Sequence, residues 1–142
     1  MTVVCVGKLK EAYWRDACAE YIKRLTRFCR IEIKELPERA NPKEESAEIL
    51  RACRGHVIAL AVEGKGCSSE AFAKKLGTAV DRGDEITFVI GSSCGLDASV
   101  KAAASELVSF SELTFPHQMM RVVLLEQVYR AFMINAGAEY HK

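Results

Sequence analysis

The chain has 142 residues, 49% of them hydrophobic, which is enough for one compact domain with a buried core and too few for a second domain. Its net charge of +1 excludes a protein that binds polyanions through overall charge alone. No run approaches the roughly 18 apolar residues of a membrane span, and no secretory signal begins the chain. We therefore predict a single domain over residues 1–142, a cytoplasmic location and no membrane partner.

The six cysteines and three histidines show no metal-binding spacing. No two cysteines form a CxxC pair, and Cys5, Cys18 and Cys29 fall at apolar positions of predicted elements. We predict free thiols and no metal, with three disulfides as the alternative that a secreted protein would allow.

The first third of the chain predicts a strand, a helix and a second strand. TVVCV, residues 2–6, is a β-branched run, and a helix follows from about Glu11 to Cys29. An apolar stripe at helical spacing marks its buried face: Trp14, Cys18, Tyr21, Leu25 and Phe28. Residues 30–36, RIEIKEL, alternate as a half-buried strand does, and Pro37 ends the strand.

Basic residues are concentrated in this first third. Residues 1–34 carry eight Lys or Arg and four Asp or Glu, a surplus of +4, which leaves −3 for the remainder. Lys23, Arg27 and Arg30 step by four and three along the predicted helix. Their ridge is either an ordinary solvated face or a contact for RNA phosphates.

Strands and helices alternate along the rest of the chain. Residues 56–62, HVIALAV, and 85–91, EITFVIG, are apolar runs typical of strands that are covered on both faces. Helices are predicted before, between and after these runs, and residues 107–115 hold the last strand and its exit. This order predicts an α/β fold with a parallel sheet and helices on both faces.

The last predicted helix, from about Gln118 to Asn135, is apolar on nearly every side. Such a helix needs cover on two sides, and a small domain has little interior for it. We therefore expect it to pack against a second subunit in a homodimer. Glu126 and Arg130 stand four residues apart, as in a helix-stabilising ion pair.

Three loops at predicted strand ends are candidates for a ligand site, because ligands bind beyond the carboxyl ends of parallel strands. These loops are VEGKG, GSSCGL and SELTFPH. In the third, Leu113 and Phe115 either cap the core or receive a flat ring with a polar edge, such as adenine. Phosphate-loop and dinucleotide motifs are missing. Cys94 is a candidate nucleophile for which no basic partner can be named.

Three blocks of the chain resemble the RlmH family of SPOUT methyltransferases: FVIGSSCGL, LVSFSELTFPHQMMRVVLLEQVYRAF and the terminal AEYHK. Their order and spacing agree over residues 86–142, and weaker similarity extends to the start. The resemblance implies a homodimer that uses S-adenosylmethionine to methylate N3 of a pseudouridine in large-subunit ribosomal RNA within assembled ribosomes. It also implies a C-terminal trefoil knot, an exception to the rule that chains do not thread their own loops.

The resemblance also implies two groups of site residues. The cofactor group comprises Leu60, Gly91, Phe110, Ser111, Glu112, Leu113, Thr114 and Phe115, with His117 at the exit of the knotted loop. The catalytic group comprises the terminal Tyr140, His141 and Lys142. Here His141 would be the base or orienting group for the imide N3–H, and Lys142 or Arg130 an anion contact.

Two other functions stay open on the sequence. Ser92 stands where the family usually has a second glycine, and the family often has charged residues at or near Ala61 and Ala136. A non-catalytic relative that binds RNA or cofactor without methyl transfer is therefore one alternative. The other is a monomeric flavodoxin-like nucleotide-binding module, which would leave the last helix unexplained.

Overall fold

The computed structural model describes residues 1–140, which form a five-stranded parallel sheet with helices on both faces. The strands are β1 (Thr2–Val6), β2 (Glu32–Leu36), β3 (His56–Gly66), β4 (Ile86–Ile90) and β5 (Glu106–Ser109). The helices are α1 (Ala12–Leu25), α2 (Pro42–Ala52), α3 (Ser69–Asp81), α4 (Ala98–Ala103) and α5 (His117–Asn135). The strand order is β2-β1-β4-β3-β5. The predicted α/β class with a parallel sheet is confirmed.

Alternating side chains of the central strands feed two separate cores. In β1, Val3 and Cys5 face the core beneath α1, α3 and α5, whereas Val4 and Val6 face the core beneath α2 and α4. All five residues of β4 are buried, because this strand lies between β1 and β3 with helices on both sides. Full cover on two faces is the reason that its sequence is an unbroken apolar run.

Two element boundaries differ by four residues from the sequence prediction. Helix α1 ends at Leu25, because the chain turns there and the amides of Phe28 and Cys29 both donate to the Leu25 carbonyl. Phe28 still packs as predicted, with its ring stacked on Phe132 at 5.2 Å. Of the three basic residues of the ridge, only Lys23 therefore lies on the helix, and Arg27 and Arg30 follow its end. All three are exposed, and their contact with RNA stays a prediction.

Strand β3 also runs past its predicted end at Val62. A register shift between Leu60 and Lys65 interrupts its pairing with β5, after which Lys65 and Gly66 pair with β5 again. A Cβ on Gly64 would lie 2.6 Å from the carbonyl carbon of Val108, so the two backbones approach closely there. The irregular residues between the two paired parts form one wall of the site described below.

Helix α5 is covered more completely by its own chain than the sequence predicted. It lies between α1 and α3 over the sheet, and its inner residues, such as Leu124, Leu125 and Val128, are buried. Met119 and Val123 on the outer side are partly exposed. Only this outer side is left for the second subunit that the sequence predicted, and the homodimer stays a prediction. None of the helices within residues 1–140 is long and apolar enough to cross a membrane.

All six cysteines, which lie within residues 1–140, are free thiols with different accessibility. Cys5 is buried, and burial raises its pKa to about 11, whereas Cys67 and Cys94 are exposed. Because the thiolate is the reactive form, iodoacetamide at pH 8 should alkylate Cys67 and Cys94 in the folded protein and Cys5 only after unfolding. Mass spectrometry of proteolytic peptides measures this order. Equal labelling of Cys5 and Cys94 under native conditions would contradict it.

Candidate functional site

A cavity of about 610 Å³ opens at the carboxyl ends of β3, β4 and β5. Its walls come from residues 60–63, most of residues 90–96 and most of residues 108–117, together with Lys101 and Met120. These segments include residues of all three loops in which the sequence predicted a ligand site, and they meet because parallel strands end at the same edge of a sheet.

The structure brings most of the predicted cofactor residues together around this cavity. Leu60 comes from β3 and Gly91 from the turn after β4. The loop after β5 adds Phe110, Ser111, Leu113, Thr114 and Phe115. Glu112 is the exception, because it is exposed and lies outside the lining. Cys94, the candidate nucleophile, is likewise exposed and outside the lining.

The loop after β5 is held in shape by its own hydrogen bonds. Ser109 Oγ donates to the Ser111 carbonyl over 2.9 Å, and the Leu113 amide donates to Ser111 Oγ over 3.0 Å. The Phe110 ring packs edge-on against Phe72 of α3, with ring centroids 5.7 Å apart. Leu113 is nevertheless 69% exposed. An exposed leucine on an ordered loop at a cavity wall suits the apolar face of a ligand.

The turn after β4 explains the glycine at position 91. A Cβ on Gly91 would lie 2.5 Å from the Gly95 carbonyl oxygen, so a side chain there would push the turn apart. Ser92 does not need the backbone freedom of a glycine, since among residues 1–140 only glycines have positive φ. Its Oγ donates to Glu45 Oε1 of α2 over 3.1 Å. The strain that would disable the site through Ser92 is therefore missing from this turn.

The first turn of α5 joins the cavity to the end of β1. His117 lines the cavity, and its Nε2 lies 4.0 Å from Glu38 Oε1. Gly7 leaves room for this pair, because a Cβ there would lie 2.8 Å from Glu38 Oε1 and 3.4 Å from His117 Nε2. The sequence placed His117 at the loop exit, but no local pattern could have indicated Glu38 as its neighbour.

Arg121, one turn farther along α5, holds the same region together. Its side chain is 1% exposed, and Nη1 donates to Glu35 Oε1 over 2.6 Å. Nη2 donates to the Val6 carbonyl over 3.2 Å and also to the Gly7 carbonyl. One guanidinium therefore fixes the start of α5 to the ends of β1 and β2. The only sequence signal was a charged residue inside the apolar run from Met119 to Leu125.

Tyr140, a predicted catalytic residue, packs on the far part of α5. Its ring lies edge-on to Tyr129 at 5.0 Å and beneath Arg130 Cζ at 4.9 Å. Its hydroxyl donates to Glu126 Oε1 over 3.4 Å. Burial, reinforced by hydrogen bonding to Tyr21, raises the pKa of Tyr140 to about 12. The hydroxyl therefore stays protonated at neutral pH and cannot serve as a base.

Tyr140 and the cavity are far apart within one chain. A helix rises 1.5 Å per residue, which puts Tyr129 about 18 Å along α5 from His117. Tyr140 is accordingly not among the residues that line the cavity.

The predicted ion pair is confirmed, with Arg130 Nη2 2.5 Å from Glu126 Oε1. His141 and Lys142 lie outside the described residues. Within residues 1–140, no three His, Cys, Asp or Glu side chains gather as metal ligands.

Sequence comparisons relate the chain to methyltransferases over nearly its whole length. A family model described as "Predicted SPOUT methyltransferase" matches residues 1–141. A protein of Streptococcus equi subsp. zooepidemicus (strain MGCS10565) named "Ribosomal RNA large subunit methyltransferase H" is 50% identical and covers 99% of this chain and 98% of its own. The protein of the same name from Lactobacillus helveticus (strain DPC 4571) is 46% identical with the same coverage.

Solved structures with little sequence identity share the fold. "A probable methylase family protein from Haemophilus influenzae Rd KW20" has a TM-score of 0.62 at 12% identity and covers 99% of this chain and 70% of its own. TrmJ from Z. mobilis ZM4 has a TM-score of 0.53 at 13% identity and covers 92% and 69%. At these identities the likeness shows the arrangement of the chain alone.

Proposed function

Because the chain belongs to the SPOUT methyltransferase family, we propose that it methylates large-subunit ribosomal RNA with S-adenosylmethionine as the methyl donor. The specific target would be N3 of a pseudouridine in assembled ribosomes, which also makes the cytoplasm the proposed location. A single domain over residues 1–142 with a C-terminal trefoil knot completes the proposal. The observation that supports it best is the cavity at the strand ends, which gathers the residues that the resemblance assigns to the cofactor.

The lining of the cavity fits the adenosyl part of this donor. Leu60, Leu113 and Phe115 offer apolar surface to the faces of adenine, while the loop backbone offers donors and acceptors to its edge. When bound, S-adenosylmethionine supplies an electrophilic methyl group on a sulfonium. Hydrogen bonding to Lys101 lowers the pKa of Glu63, so this wall carries an ionised carboxylate beside the lysine and does not repel a cation.

Methylation of an imide nitrogen requires that the nitrogen be deprotonated and held in line with the methyl group. His117 contributes an imidazole to the cavity, and we propose that it orients the acceptor base there with Glu38 beside it. The terminal His141 is our proposed base, and Lys142 the anion contact. Arg130 is the weaker candidate for that contact, because Glu126 already occupies its guanidinium.

A homodimer would bring the tail to the cavity. The outer side of α5 carries Met119 and Val123, which are partly exposed. If two copies packed antiparallel through this side, the tail of one would lie beside the first turn of α5 in the other. Light scattering after gel filtration at two concentrations tests this arrangement. A strictly monomeric protein would overturn it.

Methyl transfer itself is the first test of the function. The protein is incubated with labelled S-adenosylmethionine and ribosomes from a strain that lacks the endogenous enzyme, and the labelled nucleoside is identified by mass spectrometry. Label on a large-subunit pseudouridine supports the proposal. Label on another nucleoside would contradict the target, and no label from folded protein would favour the non-catalytic relative.

Replacing Leu113 with Asn should weaken binding of S-adenosylhomocysteine about tenfold or more. The change removes one apolar contact, worth about 1.5 kcal/mol or more, from the proposed adenine surface. Because Leu113 is exposed, thermal stability should hardly change. Leu50→Asn is the matched control, since Leu50 is 39% exposed on α2 and lies outside the cavity. Calorimetric titration measures both variants, and equal affinities would count against the proposed site.

A further inference from the structure

A second cavity, of about 420 Å³, lies at the opposite end of the sheet. It forms where His56, Ile86 and Glu106 begin β3, β4 and β5, and α3 covers it. Its floor is made of five buried apolar residues: Ile58, Phe72, Leu76, Ala79 and Ile86. The two cavities share no lining residue, so the second is separate from the proposed cofactor site.

One wall of this second cavity carries a hydrogen-bonded cluster. His56 Nε2 lies 2.8 Å from Glu106 Oε1, and Lys75 Nζ donates to the other carboxylate oxygen. Burial raises the pKa of Glu106, but the hydrogen bonds from His56 and Lys75 outweigh it and hold the pKa below its usual value. Glu106 is therefore an ionised acceptor at neutral pH. Nδ1 lies on the opposite side of the His56 ring from this bond.

Helix α3 adds a basic rim above the apolar floor. Lys74, Lys75 and Arg82 line the cavity, while Lys75 and Arg82 are paired with Glu106 and Asp84. Three cations and two carboxylates leave one positive charge in excess. Lys74 is exposed, so its flexible ammonium group can follow an anion at the rim.

These features require a ligand with two kinds of surface. A purely apolar molecule would place nothing opposite the ionised Glu106 and the second nitrogen of His56, at the cost of desolvating both. A purely anionic molecule would leave the apolar floor uncovered. A flat heterocycle with a polar edge and an attached phosphate matches the floor, the wall and the rim together.

We propose that this cavity binds one nucleotide unit, with its base on the apolar floor, its base edge at His56 and Glu106, and its phosphate at Lys74. The unit is either a free ribonucleotide or an unstacked nucleotide of the RNA substrate. The second source rests on the proposed function, whereas the first does not.

Nuclear magnetic resonance titration of the 15N-labelled protein tests the site directly. The probes are the four ribonucleoside 5′-monophosphates and a single-stranded hexaribonucleotide. We expect shifts at His56, Glu106 and along α3 for at least one monophosphate. Shifts confined to the first cavity, or none with any probe, would overturn the proposal.

Three variants make the test specific. Ala71→Phe fills the cavity from an exposed rim position, and Lys74→Glu reverses the phosphate contact. Each should weaken binding of the monophosphate about tenfold or more. Lys43→Glu on α2, which lies on the other face of the sheet, is matched in charge and should leave binding unchanged. If Lys74→Glu and Lys43→Glu weakened binding of the monophosphate equally, the effect would come from overall charge and not from a specific contact, and the proposal would be overturned.

Ribosome methylation then separates the two sources of the nucleotide. If RNA supplies it, Lys74→Glu raises KM for ribosomes about tenfold at unchanged kcat, and the hexanucleotide gives the same shifts as the monophosphate. If a free nucleotide supplies it, KM is unchanged and the hexanucleotide gives no shifts at α3. A wild-type protein that methylates nothing would overturn the proposed function, while the titration would still show whether the second cavity binds a nucleotide.

Discussion

Replacing Arg121 with Met is expected to lower the free energy of unfolding by about 2–4 kcal/mol. The change leaves the buried carbonyls of Val6 and Gly7 without their donor and Glu35 without its ion-pair partner. Removing one partner of a buried pair costs about 3–5 kcal/mol, but Glu35 is 34% exposed and can hydrate, which lowers the figure. Urea denaturation followed by circular dichroism measures the loss.

Arg130→Met is the control for this experiment. Arg130 lies on the same helix and is also paired with a glutamate, but its side chain is 23% exposed, so we expect a loss of about 1 kcal/mol or less. Arg121→Lys keeps the positive charge but loses the forked set of guanidinium donors. Its free energy of unfolding should lie between those of the wild type and Arg121→Met. Equal losses for the two methionine variants would show that Arg121 does not anchor α5.

A chain that ends at Glu139 is expected to lose methyl transfer by about 100-fold or more while it still binds S-adenosylhomocysteine. The truncation removes the proposed base and anion contact, and a general base alone contributes about 10²–10⁴-fold. The cofactor lining stays intact, because its residues end at Met120. Single-turnover methylation of ribosomes and calorimetric titration measure the two quantities separately.

Tyr140→Phe and His141→Ala divide this effect between the residues of the tail. The hydroxyl of Tyr140 is neutral at pH 7, since its pKa is raised to about 12, so Tyr140→Phe should lower the rate less than tenfold and keep the pH profile. His141→Ala should account for most of the loss and remove the acidic limb of the profile. A truncated chain that methylates at the wild-type rate would rule out the proposed roles of the tail.

The sequence by itself determined the class of fold and the position of the candidate cofactor site. Covered strands such as β4 are unbroken apolar runs, and the apolar residues of amphipathic helices recur every three to four positions, so both could be predicted from short stretches of sequence. Its motifs also indicated the loops around Gly91 and Leu113, because parallel strands carry their ligand loops at one edge. Boundaries such as the end of α1 at Leu25 were harder to predict, since the apolar stripe continues past the turn that ends this helix.

Only the tertiary structure decided which polar groups meet. The ion pair of Arg121 with Glu35 joins residues 86 apart, and the bond from Arg121 to the Gly7 carbonyl spans 114. The approach of His117 to Glu38 and the bond between Glu106 and His56 also join residues that are far apart in the chain. Local patterns report the face on which a residue lies, whereas such contacts depend on how whole elements pack. A buried charge is tolerated only where packing delivers its partner, and that partner was not visible in the order of residues.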